Sequence, residues 1–146
     1  MSHVSYLKRL TPARFNDTVE SMAALIRDKF PTCNMIFGRG LSSTMLLPAL
    51  AAKLNVEWAV VRKGERTHSS YKVEASKWRE HTRTVFVDDL IDTGASYRSA
   101  LAEAKKTFKK HYSYNRASGI SFECLGAACY ASYCSDIKGV AVHYLD

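Results

Sequence analysis

Asp88, Asp89, Asp92, Thr93, Gly94, Ala95 and Ser96 are the residues of this chain best able to do chemistry together. An apolar run of strand type, Val85-Phe86-Val87, ends in the acid pair Asp88-Asp89. Leu90-Ile91 follows, then Asp92-Thr93-Gly94-Ala95-Ser96 leads into a helical stretch. A strand, a glycine-containing turn and a helix make an anion site. The first backbone N–H groups of a helix lack partners, and its dipole favours negative charge there. Two acids repel an anion, so they serve another group, and sugar hydroxyls are suitable donors. A phosphate loop beside hydroxyl acceptors fits a ribose 5-phosphate.

Two other segments carry matching chemistry. Gly38-Arg39-Gly40-Leu41-Ser42-Ser43-Thr44 follows the apolar run Cys33 to Phe37 and opens a helical run. Its glycines let backbone approach an anion closely, and Arg39 offers a charged fork of donors. Arg62 to about Arg83 is polar and irregular, long for a plain connector, and its first part holds Arg62, Lys63, Arg66, His68 and Lys72. Cations closing over a departing anion stabilise its growing charge and exclude water.

The segment Thr84 to Ser96 resembles the phosphoribosyl pyrophosphate (PRPP) motif of type I phosphoribosyltransferases, an acid pair followed by a Thr/Gly/Ser phosphate loop. The resemblance covers residues 33–110. It implies an α/β fold, a mainly parallel sheet flanked by helices; the chain departs from the family in having few residues outside that core, so a reduced hood is expected. The implied reaction is attack of a base nitrogen on C1 of PRPP, with inversion and loss of pyrophosphate. It also implies that Arg39 and Gly40 hold pyrophosphate, and that Thr93, Gly94, Ala95 and Ser96 cradle the 5-phosphate. Asp88 and Asp89 take the ribose hydroxyls, directly or through Mg²⁺ and its waters, since Mg²⁺ prefers few carboxylates plus substrate oxygens.

Residues 61–72 look like the catalytic loop of orotate phosphoribosyltransferases, which keeps Arg62, Lys63 and His68. Arg66 stands where that family usually has Lys. It keeps the charge but does not readily release a proton. Proton delivery therefore shifts to His68 or Lys63. Asp92 leans the other way. An acid there resembles hypoxanthine-guanine enzymes, where it serves the nucleobase as general base or hydrogen-bond acceptor. Its alternative role is a cap for the next helix. The nucleobase, orotate-like or purine, stays open. Two other readings stay open too: a PRPP-sensing RNA-binding regulator and a non-catalytic PRPP-binding subunit. The family resemblance suggests a homodimer.

These residues need a scaffold to hold them. A length of 146 residues fits one domain with its own core. A net charge of +7 suits a polyanion, either PRPP and pyrophosphate or nucleic acid. No apolar run is long enough to cross a membrane, and Met1 to Tyr6 lacks a signal-peptide core, so a cytoplasmic location is expected. Cys33, Cys124, Cys129 and Cys134 lack metal-site pair spacing and read as reduced, buried apolar groups. A spacing of five predicts that strand neighbours among them face opposite ways.

Thr11 and Pro12 are expected to cap the first helix, with Phe15, Val19, Met22 and Ile26 as its buried stripe and Pro31 as its stop. Pro48 is expected to kink or delay the second helical run, which ends at Leu54. Further strands are predicted over 57–61, 85–87, 120–130 and 140–144, and a lysine-ended helix over 96–110. Strands alternating with helices predict a parallel sheet that binds ligands beyond its carboxyl ends. All three loops follow strands, so they are expected to meet at that edge.

Overall fold

The computed structural model describes residues 6–63, 72–113, 119–130 and 136–145. A short 3-10 turn, Tyr6–Arg9, precedes α1 (Phe15–Lys29). The chain then runs through β1 (Met35–Arg39), α2 (Leu41–Thr44), α3 (Leu47–Leu54), β2 (Glu57–Val61), β3 (Val73–Ala75), β4 (His81–Asp88), α4 (Ala95–His111), β5 (Ser121–Cys129) and β6 (Val142–Tyr144). The six-stranded sheet has the order β3-β2-β1-β4-β5-β6. All neighbours pair parallel except β2 and β3, which form an antiparallel edge.

The pleat explains why the central strands read as unbroken apolar runs. Successive side chains point to opposite faces, and both faces here are covered. Ile36, Val85 and Val87 pack with Met22, Ile26, Leu47 and Leu50 of α1 and α3. Met35, Phe37 and Phe86 pack on the other face with Tyr97, Ala100, Ala104 and Phe108 of α4. Phe37 and Phe86 are fully buried and lie tilted at 5.3 Å between ring centroids. Each such side chain contributes about 1.5–3 kcal/mol by leaving water.

The α1 stripe forms as expected, with Val19, Met22 and Ile26 buried and Phe15 partly so. Its cap does not. The N-cap is Arg14, and no side chain caps the helix. Residues 11–14 instead form a turn in which the Thr11 carbonyl accepts from the N–H groups of Arg14 (2.9 Å) and Phe15 (2.8 Å). Pro48 delays rather than kinks: it lies in the first turn of α3, where its missing N–H has no helical partner to lose.

The irregular stretch expected over 62–83 is shorter than that. β3 and the start of β4 fall inside it, because His81, Thr82 and Arg83 pair with Ser121, Phe122 and Glu123. These residues look like loop in sequence, yet Thr82 is buried and donates to the Arg79 carbonyl at 2.6 Å.

The cysteines also depart from their expected geometry. Cys124 and Cys129 pack against the same side of the sheet. Thr84 pairs with Cys124 but Val85 pairs with Gly126, so β5 carries one extra residue, Leu125, and its side-chain phase flips there. Cys33, Cys124 and Cys129 are free thiols, as expected, and burial pushes the Cys33 thiol up to about 11. Cys134 lies outside the described residues.

Gly126 makes this bulge possible. At φ 155°, a Cβ would lie 2.2 Å from the Ala141 carbonyl oxygen and 2.8 Å from the Phe30 ring. Gly126→Ala is expected to destabilise the fold by about 3 kcal/mol, the sum of overpacking and backbone strain. Urea unfolding measures this directly, and an unchanged midpoint would rule out so close an approach.

Candidate functional site

The loops after β1 and β4 meet at one edge of the sheet, as expected; of the loop after β2 only Lys63 joins them, and residues 64–71 lie outside the described residues. A cleft of about 610 Å³ opens beyond the carboxyl ends of β1 and β4. Arg39 and Ser42 line it from the β1–α2 side, Lys63 from the end of β2, and residues 88–97 from β4 and the start of α4. Adjacent parallel strands end on one side of the sheet, so loops distant in sequence become neighbours.

Asp88 is the centre of this arrangement. It is buried at the end of β4. Its Oδ1 accepts from the Ser42 hydroxyl at 3.0 Å, the Ser43 hydroxyl at 3.2 Å and the Asp89 N–H at 2.8 Å. The Ser43 hydroxyl also reaches the Val87 carbonyl at 2.7 Å. On the other flank, the fully buried Tyr130 donates from its hydroxyl to the Ser42 carbonyl at 2.6 Å. The loop after β1 is thus clamped by one residue from β4 and one just past β5. Sequence reasoning treated Asp88 as a ligand for hydroxyls and missed its structural use. It missed Tyr130 altogether, because nothing local ties that residue to a serine 88 positions away.

Gly40 turns this loop with φ 83°. A Cβ there would lie 2.8 Å from Cε and 3.0 Å from Nζ of Lys63. Gly40 therefore lets the Lys63 ammonium cross close over the loop backbone. The Arg39 Nε beside it is buried and has no hydrogen-bond partner among the described residues. An orphaned buried donor of a guanidinium is costly unless an acceptor arrives.

The turn over residues 93–96 leads from the end of β4 straight into α4, and the alternative reading of Asp92 as a helix cap is not met. Gly94 is the N-cap of α4 and has no side chain with which to cap it. Asp92 is exposed and lines the cleft, so it is not the helix cap. The Ala95 N–H makes only a long contact to Thr93 Oγ1 at 3.3 Å. The N-terminal end of this helix is therefore available to an anion.

The expected cation set is only partly assembled. Lys63 lines the cleft. Arg62 turns away, pairing with Glu74 of β3 at 2.9 Å. Successive residues of extended chain point to opposite sides, so Arg62 and Lys63 cannot share one target. Arg66 and His68 lie outside the described residues.

Burial, reinforced by the hydrogen-bonded carboxyl and charge of Asp89, pushes the Asp88 carboxyl up to about 7, against opposing hydrogen bonds from the Asp89 N–H and Ser42. In the unfolded chain it ionises near 3.8. The folded state therefore holds the proton more tightly. Its contribution to stability is complete below the unfolded value and is lost as pH rises through about 7. Asp88→Asn is expected to flatten this loss, which runs at up to about 1.4 kcal/mol per pH unit in the intermediate window. Urea titrations between these limits, wild type against variant, measure the difference. Parallel pH profiles would refute it.

No protein-family model matches the chain. Sequence relatives exist nonetheless. An orotate phosphoribosyltransferase from Levilactobacillus brevis is 28% identical over 87 residues, covering 60% of this chain and 41% of that protein. An adenine phosphoribosyltransferase from Kluyveromyces lactis is 31% identical over 105 residues, covering 61% of this chain and 56% of that protein. The chain spans about half the length of the curated relatives it matches. Among solved structures, an adenine phosphoribosyltransferase superposes with a TM-score of 0.63 at 19% identity, covering 92% of this chain and 81% of the other.

Proposed function

The fold is that of the type I phosphoribosyltransferases, and from it we propose that the chain transfers the 5-phosphoribosyl group of PRPP to a nucleobase and releases pyrophosphate. One observation carries this reading. The N-terminus of α4, whose N-cap is a glycine, and Arg39, whose Nε has no partner among the described residues, line one cleft with an acid pair between them in sequence, and we read them as two separate anion sites. PRPP has that pattern of charge: a phosphate at one end, a pyrophosphate at the other and hydroxyls between.

Thr93, Gly94, Ala95 and Ser96 hold the 5-phosphate. Asp89, half-exposed in the cleft, accepts from the ribose hydroxyls, and Asp88 assists with the oxygen that Ser42 and Ser43 leave unused. Arg39, the Gly40 backbone and Lys63 hold pyrophosphate. A base nitrogen forms its bond to C1 as the bond from C1 to the pyrophosphate oxygen breaks, and the electron pair leaves with pyrophosphate. Charge grows on that leaving group, so preorganised cations are the main catalytic resource. Asp92 accepts the proton that the base nitrogen loses. His68 and Arg66 act with Lys63 over the leaving group, and Arg62 stays in the structural ion pair.

The donor set also fits Mg²⁺. Among the described residues no group of three metal-binding side chains exists. A cation held through Asp89, substrate oxygens and water is the arrangement this ion prefers. Bound there, it would neutralise charge on the pyrophosphate.

We read the chain as one domain that works in the cytoplasm as a homodimer. Two apolar side chains one helical turn apart beside the cleft, Leu41 and Met45, are 63% and 48% exposed, which supports a covering partner.

The test is pyrophosphate release from PRPP and Mg²⁺ with orotate, uracil, hypoxanthine, guanine, xanthine, adenine and nicotinate in turn. Release is expected with one base class. It is expected to fall by about 100-fold or more in Arg39→Ala and in Asp88→Asn/Asp89→Asn. PRPP binding without release for any base would overturn the enzyme and leave a PRPP-binding regulator or subunit.

A further inference from the structure

The far end of α4 holds a second concavity. By helix rise it lies about 20 Å from the phosphate loop. Lys105, Phe108, Lys109, Tyr112, Ile120 and Phe122 line this hollow of about 420 Å³. Its floor is aromatic. Phe108 is buried and contacts Trp78, Tyr112 and Phe122 at ring-centroid distances of 5.9, 5.0 and 5.3 Å. Tyr112 and Phe122 are only half-buried, so part of their ring surface is open.

The charges around the hollow are unusual for a helix surface. Lys105, Lys106, Lys109 and Lys110 form two like-charge pairs four residues apart, an arrangement that destabilises a helix. None of the four makes an ion pair among the described residues. The helix dipole accounts for Lys109 and Lys110 in the last turn, but not for Lys105 and Lys106 a turn earlier. The one acid of α4, Glu103, is spent on Lys72 at 3.6 Å. Glu80, whose charge reaches the Tyr112 hydroxyl, is countered there by Arg79.

We propose that this hollow binds single-stranded nucleic acid. A base enters it and stacks on the open faces of Tyr112 and Phe122. Lys105 and Lys109 take the adjoining phosphates, and Lys106 and Lys110 continue the track along the helix. Unpaired cations beside aromatic faces are what a single strand needs. A polyphosphate would use the lysines but not the rings. A duplex keeps its bases stacked inside and offers no face to Tyr112. The proposal concerns the end of α4 remote from the cleft and stands whether or not the chain is a phosphoribosyltransferase.

The test is fluorescence anisotropy with short labelled strands of one mixed sequence, as RNA, as DNA and as the duplex. Binding of either single strand, weaker binding of the duplex and a linear fall of log affinity with log salt are expected. Lys105→Ala/Lys109→Ala is expected to reduce that slope by about 1.4, at about 0.7 for each phosphate no longer neutralised. Tyr112→Leu is expected to weaken binding about 10-fold with the slope unchanged. The lysine variant alters only exposed side chains, so it remains informative if Tyr112→Leu fails to fold. Saturating PRPP is expected to leave the strand bound, and displacement would assign binding to the cleft and overturn the proposal. So would absence of binding at low salt, a duplex bound as tightly as the single strand, or full affinity and slope in the lysine variant.

Discussion

One carboxylate oxygen holds the cleft together. Oδ1 of Asp88 gathers two serine hydroxyls from the loop after β1 and the N–H of its own neighbour. It lies at the end of a central strand, out of water, where hydrogen bonds are strong and an unpaired polar atom is costly. The loop after β1 has no strand of its own to pair with beyond Arg39. Its position relative to the turn before α4 therefore depends on Asp88 from one side and the Tyr130 hydroxyl from the other.

That anchoring works because the sheet is rigid beneath it. β1 and β4 pair in register from Met35 with Thr84 to Phe37 with Phe86, and apolar layers cover both faces. A close-packed core has low compressibility and so holds the strand ends in place. Polar groups mounted on those ends are held with them. The bulge at Leu125 serves the same end. It lets β5 follow β4 along its full length while Gly126 passes close to Ala141 and Phe30.

The site itself is left electrostatically unsatisfied. Arg39 keeps a buried donor without an acceptor among the described residues, and α4 begins without a side-chain cap. Asp88 and Asp89 carry neighbouring carboxyls that raise the proton affinity of the buried one. Each feature costs stability. A ligand bringing anionic oxygens to the first two and hydroxyl donors to the third would relieve each of them. This is the pattern expected where local rules of folding yield to binding.

Local patterns in the sequence determined much of this. Apolar runs bounded by Gly and acids marked β1, β2 and the core of β4. The helical stripe of α1 and the glycine turn that opens α4 follow from residue order, because their physics acts within a few residues. The meeting of the loops after β1 and β4 followed from strand-helix alternation alone. The rest needed distant partners. Thr82 enters β4 only because β5 lies alongside, and Cys124 faces the same way as Cys129 only because a bulge in that pairing shifts the phase. Arg62 leaves the cleft because β3 brings Glu74 to it. Asp88 and Tyr130 become anchors for Ser42 because folding carries residues far apart in the chain to one strand edge. Sequence periodicity reports which face a side chain takes. Only tertiary packing decides what it meets there.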